Sequence, residues 1–327
     1  MTIASSFWRR KFPHLLRAED RLFEVEPETR ILAHCHWQAS PQKHPTLLLV
    51  HGLEGSSDSG YMLGTAEKAF EKGFNVLRMN QRNCGGTEQL TSTLYNSGLS
   101  RDFQAVVEEL IARDELPEIF TAGYSMGGNL VLKMAGEWSD AAPAELRAIV
   151  AISPSLDLAA CAGALNRPQN WIYQRHFVEK LKRRMQRKSK LFPGLYPLDG
   201  LQRVRSVWEF DDVITARFCG FRDAADYYQR SSALRVIAAI RVPTLIVTAQ
   251  DDPMIPYQPF LDPALTSNSQ ITLLAPRHGG HCGFIARQNC AERFWSEERI
   301  VEFCEAHSGQ GSAAKVAASD RLNETER

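Results

Sequence analysis

Apolar positions along this chain follow two alternating rhythms. Short uninterrupted runs of strand length, Leu47 to Val50, Asn75 to Met79, Ile119 to Ala122 and Ala148 to Ile152, carry almost no polar relief. Between them lie stretches whose apolar residues recur every three to four positions, Glu67 to Lys72, Asp102 to Arg113 and Gly128 to Trp138, the spacing of helices buried on one face. Two further β-branched or leucine-rich runs, Val242 to Thr248 and Ile271 to Leu274, come late in the chain. Strands read as apolar throughout are buried on both sides, so the alternation predicts a largely parallel sheet with helices on both faces. Between Ser153 and Arg241 the rhythm becomes helical without clear strands, notably over Asn166 to Lys190 and Asp211 to Leu234, and reads as a helical cap inserted at about 160–235. The expected organisation is an N-terminal extension over 1–45, one domain over 46–307 carrying that cap, and a Ser-, Ala-, Gly- and Glu-rich tail over 308–327 that reads as disordered.

Reactive groups of parallel sheets gather at the carboxyl ends of the strands, and chemistry-bearing residues cluster there. The run Ile119 to Ala122 ends in Gly123-Tyr124-Ser125-Met126-Gly127, a serine between two glycines ahead of a helical pattern. Such a turn presents a serine hydroxyl above the sheet in a strained backbone conformation, and glycine is needed where flanking side chains would collide. A short glycine–serine pattern recurs by chance, so the weight rests on finding an acid and then a histidine further along the chain.

The run ending at Thr248 opens into Ala249-Gln250-Asp251-Asp252-Pro253, placing two aspartates where one can orient an imidazole. The spacing to Ile255 and Pro256 favours Asp252, with Asp251 expected to cap the turn. After Leu274 comes Pro276-Arg277-His278-Gly279-Gly280-His281-Cys282-Gly283-Phe284. Two glycines let the backbone swing inward just before His281, which is preferred to His278 as the general base. The first strand empties into His51-Gly52-Leu53-Glu54-Gly55, a small-residue loop able to aim a backbone amide at a reacting carbonyl. The N–H groups of Leu53 and Met126 are the expected pair of oxyanion donors, with the His51 side chain a support bonded to backbone.

The composition adds limits. With 327 residues, 44% of them hydrophobic, and a formal net charge of zero, the chain can bury a full core and offers no global field for nucleic acid. Seven cysteines without C-x-x-C pairs, together with no secretory signal, lead to an expectation of reduced thiols and a cytoplasmic location. The clusters His34-Cys35-His36 and His278, His281, Cys282, Cys290 lack the paired spacing of a zinc site, so neither metal nor cofactor is expected. Within the cap, Lys180 to Lys190 is densely basic and reads as a solvated helix face, with weak contact to an anionic membrane surface as the second reading. Phe7, Trp8, Phe12, Leu15 and Leu16 are expected to pack on the domain, and Trp171, Tyr173, Phe177 and Trp208 to form cap core.

Taken together, His51 to Ser57, Asn80 to Gly86, Gly123 to Asn129, Phe210-Asp211-Asp212, Asp226-Tyr227-Tyr228, Asp251-Asp252-Pro253 and His278 to Phe284 resemble the YheT-like branch of the α/β-hydrolases, related to the eukaryotic ABHD hydrolases of the fourth group. The resemblance spans about Pro45 to Glu305. It implies an α/β-hydrolase fold, a Ser125, His281, Asp252 triad acting on carboxylic esters, short-chain or lipid-like, and a place for Phe210-Asp211-Asp212 at the junction of core and cap. An acyltransferase using the same triad and a non-catalytic binding protein on the same fold are the alternatives.

Overall fold

The computed structural model describes residues 10–15, 17–286 and 293–309. Its centre is an eight-stranded sheet in the order β1-β2-β4-β3-β5-β6-β7-β8. The strands are β1 (Glu19–Glu26), β2 (Thr29–His36), β3 (Thr46–Val50), β4 (Asn75–Met79), β5 (Ile119–Tyr124), β6 (Leu146–Ile152), β7 (Thr244–Val247) and β8 (Ile271–Leu274). From β4 to β8 every pairing is parallel, whereas β1, β2 and β4 pair antiparallel.

The run-on apolar character of the central strands is explained by their position. In β3, Leu47 and Leu49 enter one core cluster and Leu48 and Val50 the other, each with no exposure. Burying such a side chain fully contributes about 1.5–3 kcal/mol, so both faces of the strand must be covered. Helices α1 (Gly60–Glu71) and α10 (Trp295–His307) cover one face; α2 (Ser100–Ala112) and α3 (Met126–Trp138) cover the other. In α2, Phe103, Val106, Val107 and Leu110 supply the i, i+3, i+4, i+7 stripe.

The first two strands lie ahead of those read from the apolar runs. Their signal is alternation: Phe23 is buried between exposed Leu22 and Glu24, and Thr29, Ile31, Ala33 and Cys35 are buried against the intervening Arg30, Leu32 and His34. Period-two patterns of this kind mark strands with one covered face, and an eye set for continuous runs passes over them.

Between β6 and β7 the chain is helical: α4 (Leu158–Leu165), α5 (Trp171–Leu191), α6 (Val207–Phe210), a π-helical turn (Asp211–Ala216), α7 (Arg217–Cys219) and α8 (Ala224–Ser231). Asp157 and Asp223 cap α4 and α8 by accepting from Ala160 N–H and Asp226 N–H. A short helix α9 (Pro263–Thr266) lies between β7 and β8. The insertion is tied to the core by Asn129 of α3, whose buried amide donates to Ser97 O and Ser231 O and accepts from Ala233 N–H at 2.7 Å. Glycine is needed at position 136 of α3, where a Cβ would stand 2.4 Å from Val236 O.

At the N-terminus, Arg10 forms two 2.6 Å hydrogen bonds to Glu297, and Leu15 packs against the α1/α10 core cluster. Phe7, Trp8 and Leu16 lie outside the described residues, as do Cys290 and the tail from residue 310. The six described cysteines are all free thiols. Among the described residues no helix is long and apolar enough to cross a membrane.

Candidate active site

Strand β5 turns into α3 through Ser125, which adopts φ 55° and ψ −116°. A non-glycine residue reaches this region only when its surroundings enforce it. Here Ser125 N–H donates to Ile152 O at 2.9 Å, and Ser125 O accepts from Asn129 and Ser155. The flanking glycines are forced by close backbone. A Cβ on Gly123 would lie 2.2 Å from Gly127 O, and one on Gly127 would lie 2.3 Å from Val50 O and 2.6 Å from His51 O. Met126 is the first residue of α3, so its N–H has no intrahelical acceptor and stands at the positive end of the helix dipole.

The two aspartates and two histidines pair in parallel. Asp251 accepts from Gly279 and Gly280 N–H at 2.9 Å each and meets His278 Nδ1 at 3.1 Å, in a contact with both side chains largely in solvent. Asp252 meets His281 Nδ1 at 2.9 Å, with the carboxylate fully buried and the imidazole nearly so. Its other oxygen accepts from Met254 N–H at 2.9 Å and Ile255 N–H at 3.0 Å, so the carboxylate cannot rotate away. Gly280 adopts φ 62°, and a Cβ on Gly279 would enter the Phe284 ring at 2.6 Å; both glycines of the loop are therefore required by the path that brings His281 inward. Burial opposes charge on His281, yet Asp252, and then Cys282, outweigh it and hold the imidazole pKa well above its usual 6.5.

At the end of β3, His51 is fully buried with Nδ1 2.8 Å from Gly52 O, while Nε2 accepts from Gln81 N–H. Burial lowers its pKa to about 4, which leaves a neutral brace that does not border the cavity. The next residues form a tight turn closed by Gly55 N–H to Gly52 O at 3.0 Å. Glu54 sits in this turn at φ 56°. Tyr95 holds it at both ends, its hydroxyl accepting from Glu54 N–H at 3.3 Å and donating to the Glu54 carboxylate at 2.9 Å. The same carboxylate forms an ion pair with Arg184 of α5, whose guanidinium lies 3.8 Å from the Tyr95 ring centroid.

Ser125, His281, Leu53 and Met126 border one inner cavity of about 100 Å³. Its far wall is built by the insertion: Leu158, Leu165, Phe177, Leu181 and Phe210 are apolar, and Asp211 and Arg184 are not. Asp211 accepts from Thr215 Oγ1 at 2.6 Å and Tyr228 Oη at 2.7 Å, and burial raises its pKa to about 6 against those two hydrogen bonds. It opens the π-helical turn, a local widening that helices adopt often at functional sites. Ser125, His281 and Leu53 also border an outer cleft of about 710 Å³, walled by Tyr61, Ile172, Tyr173, His176 and Lys180.

Ser125, Asp252, His281, Leu53 and Met126, the five residues named from sequence, thus meet at one place. Glu54, Tyr95, Arg184, Asp211 and Tyr228 join them there; Glu54, Asp211 and Tyr228 lie in segments that carry the family resemblance without having been named as site residues, and Tyr95 and Arg184 lie in no such segment. Of the cap aromatics, Phe177 borders both spaces and Tyr173 the outer one, while Trp208 packs on Tyr228 at 5.0 Å and Trp171 is exposed instead of forming cap core. The basic run also divides: Arg184 and Lys188 turn inward, Lys188 donating to Glu88 O and Thr91 O, instead of joining a solvated face. Among the described residues no three His, Cys, Asp or Glu side chains are grouped to hold a metal ion.

Residues 45–288 match the family described as alpha/beta hydrolase fold. The chain is similar to YheT of Escherichia coli, 34% identical over 82% of this chain and 79% of that protein. It is also similar to Phospholipase ABHD3 of Mus musculus, 29% identical over 74% of this chain and 58% of that longer protein. Among solved structures, the esterase Pf2001 of Pyrococcus furiosus superposes with a TM-score of 0.61 at 17% identity, covering 92% of this chain and 97% of that one.

Proposed function

The chain belongs to the α/β-hydrolase fold family, and on that premise we propose that it is a serine hydrolase cleaving carboxylic esters, short-chain or lipid-like, through Ser125, His281 and Asp252. A hydrolase role is common ground with relatives named as a phospholipase and a monoacylglycerol lipase. What carries the finer reading is the buried 2.9 Å contact between Asp252 and His281 on the cavity that Ser125 borders from its strained turn.

In this reading His281 takes the proton of Ser125 Oγ as that oxygen attacks the ester carbonyl. The N–H groups of Met126 and Leu53 receive the oxyanion, a contribution on the order of 10²–10³ in rate for one donor. His281 then returns the proton to the departing alcohol, and water releases the acyl group by the same steps in reverse order. Asp252 holds the tautomer with Nδ1–H and stabilises the imidazolium. No cofactor enters these steps. The volume of the outer cleft, about 710 Å³ beside Ser125, leaves room for water to reach the acyl-enzyme and favours hydrolysis over transfer to another alcohol.

The test is turnover of p-nitrophenyl esters from acetate to palmitate by the native protein and by Ser125→Ala, with circular dichroism to establish folding. Native activity abolished in the variant is expected. Undiminished activity in the variant would refute the serine assignment, and failure of the native protein to react with a fluorophosphonate probe would favour a binding role.

A further inference from the structure

Helix α5 carries eight Lys and Arg residues against a single acid, Glu179, in a chain whose formal net charge is zero. Removing the inward-facing Arg184 and Lys188 leaves six cations outside the core: Arg175, Lys180, Lys182, Arg183, Arg187 and Lys190. Glu179 lies between Arg175 at 2.8 Å and Arg183 at 3.6 Å and is outnumbered by them, and Glu88 from outside the helix pairs with Arg187 at 2.7 Å, so two acids face the six cations and the surface keeps a net positive charge. At 1.5 Å per residue the cationic face, from Arg175 to Lys190, runs for about 22 Å along the molecular surface.

The N-terminal end of this face is apolar. Trp171 and Ile172 are 59% and 52% exposed, among the most exposed large hydrophobic side chains of the described residues. Ile172, Tyr173, His176 and Lys180, from the same first turns, form a lip of the outer cleft. On the other side of the helix, Arg167, Lys182 and Arg205 border a groove of about 420 Å³ that has Trp171 at its edge.

We infer that this face of α5 docks the protein on an anionic lipid bilayer, with Trp171 and Ile172 inserted at the headgroup level and the outer cleft opening toward the membrane. Basic side chains drawn to an anionic leaflet, next to an exposed tryptophan, are the composition of an interfacial surface. A nucleic acid would meet the same cations, but it would have no use for an apolar pair at the mouth of an ester-sized cleft. The orientation rests on the ester hydrolase reading, because it supposes that the cleft receives the acyl substrate from that side.

The experiment is co-sedimentation of the full chain with phosphatidylcholine vesicles, with and without phosphatidylglycerol. The expected result is binding only when phosphatidylglycerol is present, and its loss in high salt. Arg183→Glu with Lys190→Glu should weaken that partitioning at least about thirtyfold, from about 1 kcal/mol lost for each of the two basic residues replaced. Trp171→Ser should weaken it by a smaller factor. Both variants should keep native turnover of soluble p-nitrophenyl acetate, since none of the three residues borders the cleft. Equal binding to both vesicle types, unaltered binding by the double variant, or tighter retention on duplex DNA than on anionic vesicles would each overturn the inference. Sedimentation is read without turnover, so loss of the esterase reading in the Ser125→Ala assay and loss of the docking surface are separate outcomes.

Discussion

Replacing Arg184 by methionine keeps the length of the side chain and removes its charge from an enclosed pair. The Arg184 and Glu54 side chains are 5% and 8% exposed, so neither can turn to solvent when the other is lost. In Arg184→Met, the Glu54 carboxylate keeps the Tyr95 hydroxyl as a donor and loses its countercharge. Breaking one side of a buried pair costs about 3–5 kcal/mol, much of it the desolvation of the charge left behind. Removing both charges, in Glu54→Gln with Arg184→Met, should return most of that loss, since neutral replacements of a buried pair are often close to neutral in stability. Glu54 comes directly after Leu53 and stands at φ 56°, so release of its carboxylate frees the turn that carries the proposed oxyanion donor, Leu53 N–H. Loss of one oxyanion donor costs about 10²–10³ in kcat, and a displaced one about tenfold to a hundredfold. The fall belongs in kcat more than in KM, because the oxyanion exists only on the way through the transition state.

Urea denaturation monitored by tryptophan fluorescence gives the stability change, and p-nitrophenyl butyrate kinetics under conditions where each variant is folded gives the second. Wild-type stability in Arg184→Met would show that the pair does not hold α5 to the turn. Stability lost with kcat unchanged would show that the turn keeps its shape without the insertion, and that Arg184 has no positioning role.

Asp252→Asn should lower kcat by about 10³–10⁴, as the imidazole loses both its tautomer and its countercharge. Because Asp252 holds the His281 pKa well above its usual 6.5, the acid limb of the kcat/KM profile should be displaced upward from 6.5 in the native protein and move down in this variant. The same shift contributes stability that is present below pH 6.5 and disappears as pH rises through the raised folded value; urea midpoints across that window should lose this slope in Asp252→Asn. Asp211 has the opposite sign for an acid: raised from 3.8 to about 6, it binds its proton more tightly when folded, so stability falls as pH rises through that interval, by about 3 kcal/mol. Asp211→Asn should flatten this part of the profile, and a difference curve that stays level from about pH 3.5 to about 6.5 would remove Asp211 as its source.

The residues legible in the sequence are those whose chemistry depends on their own few neighbours. Ser125 is bracketed by glycines because Gly127 O and Val50 O leave no room for a Cβ, and the same crowding would recur wherever a strand turns into a helix this sharply. His281 comes after two glycines because its loop needs a positive φ and a position flush against Phe284. Such demands are written into consecutive letters. The pairing of Asp252 with His281 across 29 residues is legible only because each member lies past the end of a strand, and parallel strands bring their ends together. Glu54, Tyr95 and Arg184 have no such frame: they come from a turn, a loop and an inserted helix, with 41 positions between the first two alone, and no local pattern connects them.

Arg184 nevertheless leaves a trace, and it lies in the register of α5. Read as a block, Lys180 to Lys190 is a stretch of charge, and a solvated face is the natural reading. Read at 3.6 residues per turn, it separates. Val178, Leu181 and Met185 mark the inward half of the helix, and Arg184 and Lys188 fall within that half, while Arg175, Arg183, Arg187 and Lys190 fall opposite. A cation held among buried apolar positions must find an acceptor there, because leaving it unpaired costs several kcal/mol. Lys188 finds the carbonyls of Glu88 and Thr91, and Arg184 finds Glu54 beside the proposed oxyanion donor. The helical period therefore assigns the charges of one segment to two tasks: inward, Arg184 joins the insertion to the turn of the proposed oxyanion donor and Lys188 joins it to the Glu88–Thr91 segment, while the outward set forms the surface proposed to meet an anionic bilayer.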